Sequence, residues 1–317
     1  MRFDYKDINL VPRYSTVDSR GECDTTTQFG QHTFKNCVIP ANMESVINDE
    51  LAIKLAKGGY FYVMHRFDVD NIKFTRMMKK KGLIASISVG VNQDAYEYVD
   101  DVVKLSTMDD SLIPDYITID IAHGHCRKMK RMIKYIKEKL PNVFLIAGNV
   151  STIDATRDLD TWGADAIKVG IGPGSACTTY PTTGFGSRNI QASIVHECSL
   201  VTKKYIVADG GIQSPADIVK SIVLGASVCM VGGMLSSFTD SPGRVVEQDG
   251  RKYKEFYGSA SANQSKKSKR IEGTVKLNPM KNSTMLEYMD YVSECLESAI
   301  SYAGGTNMDD LHTVKWI

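Results

Sequence analysis

An alternation between short apolar runs and amphipathic segments constrains the fold of this chain more than any other feature. Eight runs rich in β-branched or aromatic residues recur, each followed by a small or polar residue and then by a segment of helical period. The runs cover residues 38–40, 60–63, 84–89, 116–120, 144–148, 166–170, 205–209 and 228–232. Eight such units predict an α/β protein, a closed (β/α)₈ TIM barrel formed by one domain over residues 1–317.

Amphipathic stretches at 48–57, 127–139, 154–162 and 215–224 supply the expected helices. Ser214 and Pro215 suit the N-cap and first helical positions of the last of these. A doubly wound sheet is the competing architecture. Its Gly-rich dinucleotide turn would follow the first strand, where the sequence instead continues Pro-Ala-Asn-Met-Glu-Ser.

Two regions do not fit the alternation. The first is an N-terminal arm before Val38, and the second is an insertion at about 236–283, ahead of a last helix at 284–302. Residues 259–276 within the insertion are rich in Ser, Lys and Gly and lack an apolar period. We therefore expect the insertion after the eighth strand to form a mobile flap beside the barrel mouth.

Charge and cysteine usage exclude several classes of protein. Lys and Arg total 38 against 37 acidic residues, so no global field favours nucleic acid or an anionic membrane. The 7 cysteines are scattered without a CxxC pair, which fits neither a disulfide framework nor a zinc site. The charged N-terminal stretch and the absence of a membrane-length apolar run lead us to expect a cytoplasmic protein without nucleic-acid or membrane partners.

The segment 168–179 carries the strongest chemical signal. The predicted sixth strand runs into a loop containing Gly170, Gly172 and Gly174, and Cys177 follows them. A barrel places this loop at its catalytic face, and glycines let the chain approach a ligand closely. Cys177 is therefore a candidate nucleophile, the alternative being a small buried thiol, which is how we interpret the other six cysteines.

Glycine pairs follow the seventh and eighth predicted strands, as Gly210-Gly211 and Gly232-Gly233. Loops at these positions of a barrel commonly bind phosphate through backbone N–H groups. Asp209, directly before the first pair, is a candidate acceptor for ribose hydroxyls. The alternative is that each pair only permits a tight turn with positive φ.

The motifs together resemble the family that comprises IMP dehydrogenase and GMP reductase. The similarity covers nearly the whole chain and is carried by segments that would each be weak alone. They are residues 7–12, 40–43, 168–179, 209–212 and 301–305.

The resemblance implies that Cys177 attacks C2 of a purine nucleotide, and that Thr179 and Glu272 move the proton which the leaving amine needs. It also implies that backbone carbonyls of Gly172, Gly174 and Cys177 hold a potassium ion. The chain departs from the family pattern at Tyr180 and Pro181, where relatives often carry basic residues. On spacing alone, Glu272 could equally be one solvated carboxylate on a polar loop.

Within that family the chain is more similar to the reductase branch. No spare segment is long enough for the regulatory CBS pair of dehydrogenases, and residues 182–186 follow the reductase pattern. The flap offers Glu272-Gly273 instead of the Arg-Tyr pair by which dehydrogenases activate water. The implied reaction is NADPH-dependent reductive deamination of GMP to IMP through a covalent cysteine thioimidate. A dehydrogenase without its regulatory insert and a catalytically silent nucleotide-binding barrel remain alternatives.

The resemblance also implies two sets of binding residues and a homotetramer. The substrate set is Ser175, Asp209, Gly210, Gly211, Gly232, Gly233 and Ser259, and the cofactor set is Arg66, Asp120, Ile206, Val207, Ala208 and Cys229. Arg66 has a surface salt bridge as its alternative. His123 and His125 resemble a metal pair, but no third ligand stands at useful spacing, so we interpret them as polar residues near the cofactor.

Overall fold

The protein is built around a central parallel sheet, and the computed structural model describes residues 2–258 and 275–317. Its strands in chain order are β1 Thr27–Phe29, β2 His32–Phe34, β3 Val38–Pro40, β4 Ser86–Val89, β5 Tyr116–Asp120, β6 Phe144–Val150, β7 Ala166–Val169, β8 Tyr205–Asp209, β9 Val228–Val231, β10 Val245–Gln248, β11 Arg251–Phe256 and β12 Lys276–Pro279. The 7-stranded sheet runs β3-β9-β8-β7-β6-β5-β4, with all neighbours parallel.

The order of the strands shows that this sheet curls toward closure. The first strand of the alternation, β3, pairs with the last, β9, with Val38 opposite Cys229 and Pro40 opposite Val231. Between them the sheet follows sequence order from β9 back to β4. A parallel sheet whose sequence ends meet is the architecture of a (β/α)₈ barrel, which confirms the predicted fold class.

Seven of the eight predicted runs form strands of this sheet, and the second, at 60–63, does not. Its side chains are buried as a barrel strand's would be. Directly before the run, the carbonyl of Gly59 accepts a hydrogen bond from Lys35 N at 2.9 Å. Directly after it, Met64 N donates to Ser86 O at 3.1 Å. It therefore spans the gap between β3 and β4 without, in the described part of the chain, forming a regular ladder with either strand.

Helices follow the strands and pack on the outside of the sheet. They are α1 Asp49–Lys57, α2 Asn71–Lys80, α3 Gln93–Ser106, α4 Arg127–Lys139, α5 Ile153–Trp162, α6 Thr179–Thr183, α7 Gln191–Ser199, α8 Pro215–Val223 and α9 Met285–Tyr302. The predicted start of α8 is confirmed, since the Ser214 side chain accepts from Asp217 N and Pro215 opens the helix. Within the described residues, no helix is both long and apolar enough to cross a membrane.

The N-terminal arm closes the amino end of the barrel. Strands β1 and β2 form an antiparallel hairpin that turns at Gly30, where φ is +64°. Phe29 at its tip is fully buried, and its ring lies 5.0 Å from the ring of Phe144 and 5.2 Å from that of Tyr205. The Tyr116 hydroxyl donates to the carbonyl of Phe29 at 2.6 Å. The hairpin thus plugs the amino end with an aromatic core.

The insertion after β9 is more regular than the sequence pattern indicates. Strands β10, β11 and β12 form an antiparallel sheet of 3 strands, with β11 in the middle. Lys254 of β11 is buried and donates to Ser241 O at 2.7 Å, which ties this sheet to the turn after β9. The predicted mobile flap at about 236–283 therefore has ordered flanks, while residues 259–274 lie outside the described residues.

Candidate active site

The candidate site lies where the strands end at the carboxyl edge of the sheet. Asp120 and Asp209 are the last residues of β5 and β8, and the Cys177 loop follows β7. Parallel strands bring these ends to one face, so residues far apart in sequence meet there. This is the face that the sequence analysis predicts to be catalytic.

The loop after β7 packs closely against its neighbours. At Gly170, φ is +147° and a Cβ would lie 2.0 Å from the carbonyl oxygen of Asp209. Ser187, which is fully buried, makes three hydrogen bonds with Ile171. Its N–H donates to the Ile171 carbonyl at 2.8 Å, and its Oγ accepts from Ile171 N at 3.2 Å and donates to the carbonyl at 3.3 Å. Glycine is therefore required at 170 because no side chain fits between the two loops.

Cys177, the predicted nucleophile, is half-buried. Its Sγ donates to Thr179 Oγ1 at 3.3 Å, and its N–H donates to the Gly174 carbonyl at 3.1 Å. By contrast, burial raises the pKa of the Cys198 thiol to about 11, which keeps that thiol protonated. Four of the other cysteines are buried, whereas Cys126 and Cys295 are half-buried.

The glycine pairs converge on the Cys177 loop. A Cβ at Gly210 would lie 3.0 Å from Pro173 and 3.2 Å from Gly174 N, and Gly210 has a φ of +84°. A Cβ at Gly233 would lie 3.4 Å from Ser175 Oγ. The structure thus brings predicted substrate residues from three loops together. Gly211, with a φ of +78°, belongs to the same turn, and Gly232 faces the side chains of β11 and of the turn after β3.

A buried lysine joins the two carboxylates of the site. Lys168 Nζ lies 2.8 Å from Asp120 Oδ1 and 2.6 Å from Asp209 Oδ2. Asn149 Nδ2 also donates to Asp209 Oδ2, at 2.7 Å, and Asn42 Nδ2 donates to Asp120 Oδ2 at 3.1 Å. Among the described residues, nothing donates to Asp209 Oδ1.

Charge and burial have opposite effects on the pKa values of this cluster. Burial would lower the pKa of Lys168, but the carboxylates of Asp120 and Asp209 raise it above its ordinary value of 10.5. Burial would raise the pKa of Asp120, but Lys168, with smaller effects from Arg66 and Asn42, lowers it below 3.8. Lys168 and Asp120 are therefore both charged near neutral pH.

Arg66 stands at the cofactor side predicted from the sequence. It is half-buried, its guanidinium lies 4.7 Å from the centre of the Phe67 ring, and its charge helps to lower the pKa of Asp120. Its Nε is buried and, among the described residues, has no hydrogen-bond partner. A free cationic donor near Asp120 fits an anionic nucleotide cofactor, and no surface salt bridge of Arg66 occurs in the part of the chain that is described.

The remaining predicted cofactor residues are interior strand residues. Ile206, Val207, Ala208 and Cys229 are at most 1% exposed, and the Cys229 thiol lies 3.9 Å from the carbonyl of Ile218. Burial raises the pKa of Cys229 well above its ordinary value. These four side chains pack in the barrel wall, and a role in cofactor binding stays a prediction for them.

The predicted cation ligands are backbone carbonyls, the donor type that monovalent cations take from proteins. Gly172 has a φ of +75°, and its missing side chain leaves room for Tyr180 N, 3.2 Å from where a Cβ would be. The Gly174 carbonyl accepts from Cys177 N and keeps a second lone pair. The donor chemistry of the loop therefore fits potassium.

Two predicted site residues, Ser259 and Glu272, lie outside the described residues. The last described residue before that gap, Gly258, lies beside the Cys177 loop, since a Cβ there would be 3.7 Å from the Ala176 carbonyl. Gly258 thus lies close to the backbone of the Cys177 loop. His125, which resembles half of a metal pair, bonds through Nε2 to Asp158 Oδ2 at 2.8 Å. No group of three or more His, Cys, Asp or Glu side chains suited to a metal occurs in the described segments.

Sequence reasoning missed three polar residues of the site: Asn42, Asn149 and Lys168. Asn42 lies in the turn after the first strand, and Asn149 lies directly after the predicted 144–148 run. Lys168 is a charged residue inside an apolar strand, with only 2% of its surface exposed. A charged residue in a buried strand is the signal that could have identified the cluster, because such a charge needs partners.

Fold and site together define a (β/α)₈ barrel with a half-buried thiol beside glycine-lined loops. The chain belongs to the IMP dehydrogenase / GMP reductase family, because a model of that domain matches residues 2–316.

Curated relatives support the same placement. A GMP reductase of Albidiferax ferrireducens is 48% identical over 315 residues, covering 99% of this chain and 95% of the relative. GMP reductases of Lactobacillus delbrueckii subsp. bulgaricus and Mycoplasma mycoides subsp. mycoides SC are each 48% identical over 316 residues. They cover 99% of this chain and 94% and 97% of those relatives.

Proposed function

We propose that this protein is a GMP reductase, which converts GMP to IMP and ammonia with NADPH and so serves purine nucleotide salvage. The observation that carries the proposal is the contact between Cys177 Sγ and Thr179 Oγ1 at 3.3 Å, on a loop that also meets Gly210 and Gly233. The relatives named GMP reductase support the choice of substrate. A nucleophile, a proton-transfer partner and a phosphate-type pocket are the parts that this reaction requires.

Substrate binding is divided among the loops at the carboxyl edge. The backbone N–H groups of Gly211, Gly232 and Gly233, with the hydroxyls of Ser175 and Ser259, bind the nucleotide phosphate. Gly210 donates its N–H to the Met230 carbonyl at 3.3 Å and contributes by keeping this side of the pocket free of a side chain. Asp209 Oδ1 accepts from a ribose hydroxyl, while its other oxygen is held by Lys168 and Asn149. In this proposal the purine lies over the thiol of Cys177.

Deamination begins when the thiol of Cys177, which donates to Thr179 Oγ1, gives up its proton through Thr179 to Glu272 and the sulfur adds to C2 of the purine. The exocyclic amino group on C2 is a poor leaving group until it gains a proton, and Thr179 and Glu272 deliver that proton. The C2–N bond then breaks, ammonia leaves, and a thioimidate joins Cys177 to the purine. C2 then gains a hydride and the C–S bond breaks, which releases IMP and the thiolate of Cys177.

NADPH supplies the hydride when bound. The guanidinium of Arg66 would bind its anionic part, and Asp120, with Ile206, Val207, Ala208 and Cys229, would form the cofactor side of the site. Backbone carbonyls of Gly172, Gly174 and Cys177 would hold a potassium ion, whose positive charge would stabilise the conformation of the loop. The protein acts in the cytoplasm as a homotetramer without nucleic-acid or membrane partners, and sedimentation at several protein concentrations tests the assembly.

A coupled pair of assays tests the function. Incubation with GMP and NADPH should consume the reduced cofactor and release ammonia in equal amounts, while incubation with IMP and NAD should produce little reduced cofactor. The reverse pattern would identify a dehydrogenase, and no change in either assay would identify a silent nucleotide-binding barrel.

A further inference from the structure

The reaction described above uses Lys168 only as a donor to Asp209 and leaves its contact with Asp120 unexplained. Lys168 is a strand residue of β7, its side chain is 3% exposed, and its ammonium contacts both Asp120 and Asp209. Asp120 belongs to the cofactor half of the proposed site and Asp209 to the substrate half. One buried charge therefore links the two halves.

A structural lysine elsewhere in the barrel provides a comparison. Lys79 Nζ lies 2.6 Å from Asp115 Oδ1, and Asp115 Oδ2 accepts from Ala85 N at 2.7 Å. Protein groups thus donate to both carboxylate oxygens of Asp115, which directly precedes β5. In the Lys168 cluster both protein donors go to Oδ2 of Asp209, and Oδ1 receives none from the described residues. Among the described residues, the Lys168 cluster therefore leaves one carboxylate oxygen without a donor, as expected of a site that binds a ligand.

We infer that Lys168 is the positioning residue that couples the substrate half of the site to the cofactor half. It holds Oδ2 of Asp209 so that Oδ1 is free for the ribose, and it fixes Asp120 through the same ammonium. This inference rests on the proposed function, since it takes GMP as the ligand of Asp209. Lys168 itself does not touch the reacting atoms.

The charges explain why a lysine is needed at this point. Asp120 from β5 and Asp209 from β8 both face the ammonium of Lys168, and Arg66 adds a weaker attraction on Asp120. Without Lys168, two carboxylates would share one buried space, where like charges repel and one carboxylate tends to take up a proton. Both carboxylates would then move or change charge, and both halves of the site would be affected together.

Lys168→Met tests the inference, with Lys79→Met as the control for loss of an ordinary lysine–aspartate pair. Calorimetry should show GMP binding about 10- to 100-fold weaker in Lys168→Met than in the unchanged protein. The single-turnover rate of NADPH oxidation at saturating GMP should also fall about tenfold or more. The loss of GMP affinity should be smaller at about pH 5.5 than at about pH 8, because a protonated carboxylate relieves the repulsion. Lys79→Met should leave binding and rate within about twofold.

The results separate the inference from the proposed function. Failure of the unchanged protein to bind GMP would refute the proposed function, whatever the variants do. Normal GMP binding and turnover in Lys168→Met, or a loss that matches Lys79→Met and does not change with pH, would overturn the role of Lys168 alone. Where Lys168→Met does not fold, Lys168→Gln is measured by the same criteria, since its amide still donates to one carboxylate.

Discussion

At the residue scale, the candidate site combines side chains that sequence patterns identify with others that they miss. Cys177, Thr179 and Asp209 are found from the sequence because they stand next to glycines, whose backbone demands are local. Lys168 and Asn149 are missed, because their roles depend on partners in other strands, up to 60 residues away for the Asn149 to Asp209 bond. Local patterns cannot report such contacts.

Cys177→Ala should abolish reduction of GMP, because the nucleophile of the covalent step is lost. GMP binding, measured by calorimetry, should change little, since the contacts proposed at Gly210 and Gly233 do not involve the thiol. Cys126→Ala removes another half-buried thiol and should keep its activity. Substantial turnover by Cys177→Ala would rule out covalent catalysis.

Glu272→Gln should slow deamination by about 10²–10⁴-fold, the usual scale for loss of a general acid or base. Hydride transfer should suffer less, so the thioimidate should still form when the reaction runs backwards from IMP and oxidised cofactor. Rapid-quench measurement of each half-reaction provides the test. If both half-reactions slowed equally, Glu272 would have no specific role in proton transfer and would only help to shape the flap.

At the element scale, helix caps and most strands follow from local chemistry, whereas two elements do not. The run at 60–63 has the apolar pattern of a strand but bonds to β4 mainly through Met64 and Ser86. Strand β10 is mostly exposed, and β11 mixes exposed charged residues with the buried Lys254 and Phe256, a pattern that does not distinguish a solvated sheet from a loop. Whether a segment forms a strand depends on the neighbour with which it pairs. That partner cannot be predicted from the sequence of the segment alone.

Phe29→Ala in the β1–β2 hairpin should lower the free energy of unfolding by about 3–5 kcal/mol, the usual cost of removing a buried aromatic ring. The ring is fully buried among aromatic neighbours at the amino end of the barrel. Urea unfolding should show the loss, and Phe185→Ala, which removes a ring that is 77% exposed, should not. Similar midpoints for the two variants would contradict the role of the hairpin as a plug.

At the scale of the whole molecule, net charge and buried groups determine how stability depends on pH. The formal net charge of +1 makes overall repulsion small near neutrality, so single buried groups dominate. His65 is 6% exposed, and its burial lowers its pKa below 6.5, with Glu44 and Asp49 opposing. Below that pH the unfolded chain takes up a proton more readily than the folded protein, so stability falls with falling pH.

His65→Gln removes this proton uptake. The free energy of unfolding should therefore depend less steeply on pH between about 5 and 7 in the variant than in the unchanged protein. Urea titrations at several pH values provide the measurement. His312 lies on the surface, so His312→Gln should leave the slope unchanged. A slope that is the same in all three proteins would show that His65 does not contribute.

The contact at Gly170 limits how the barrel can acquire new specificity. Because Gly170 has no side chain, the Cys177 loop packs directly against the carbonyl of Asp209. At the other end of the loop, Gly186 packs against the Ile171 carbonyl, which would lie 2.2 Å from a Cβ at that position. Saturation mutagenesis should find these two positions intolerant, while exposed residues such as Thr182 accept many replacements. Variants with altered substrate choice should therefore arise on α6 and the flap, because the loop and the β8 carboxylate can shift only as one body.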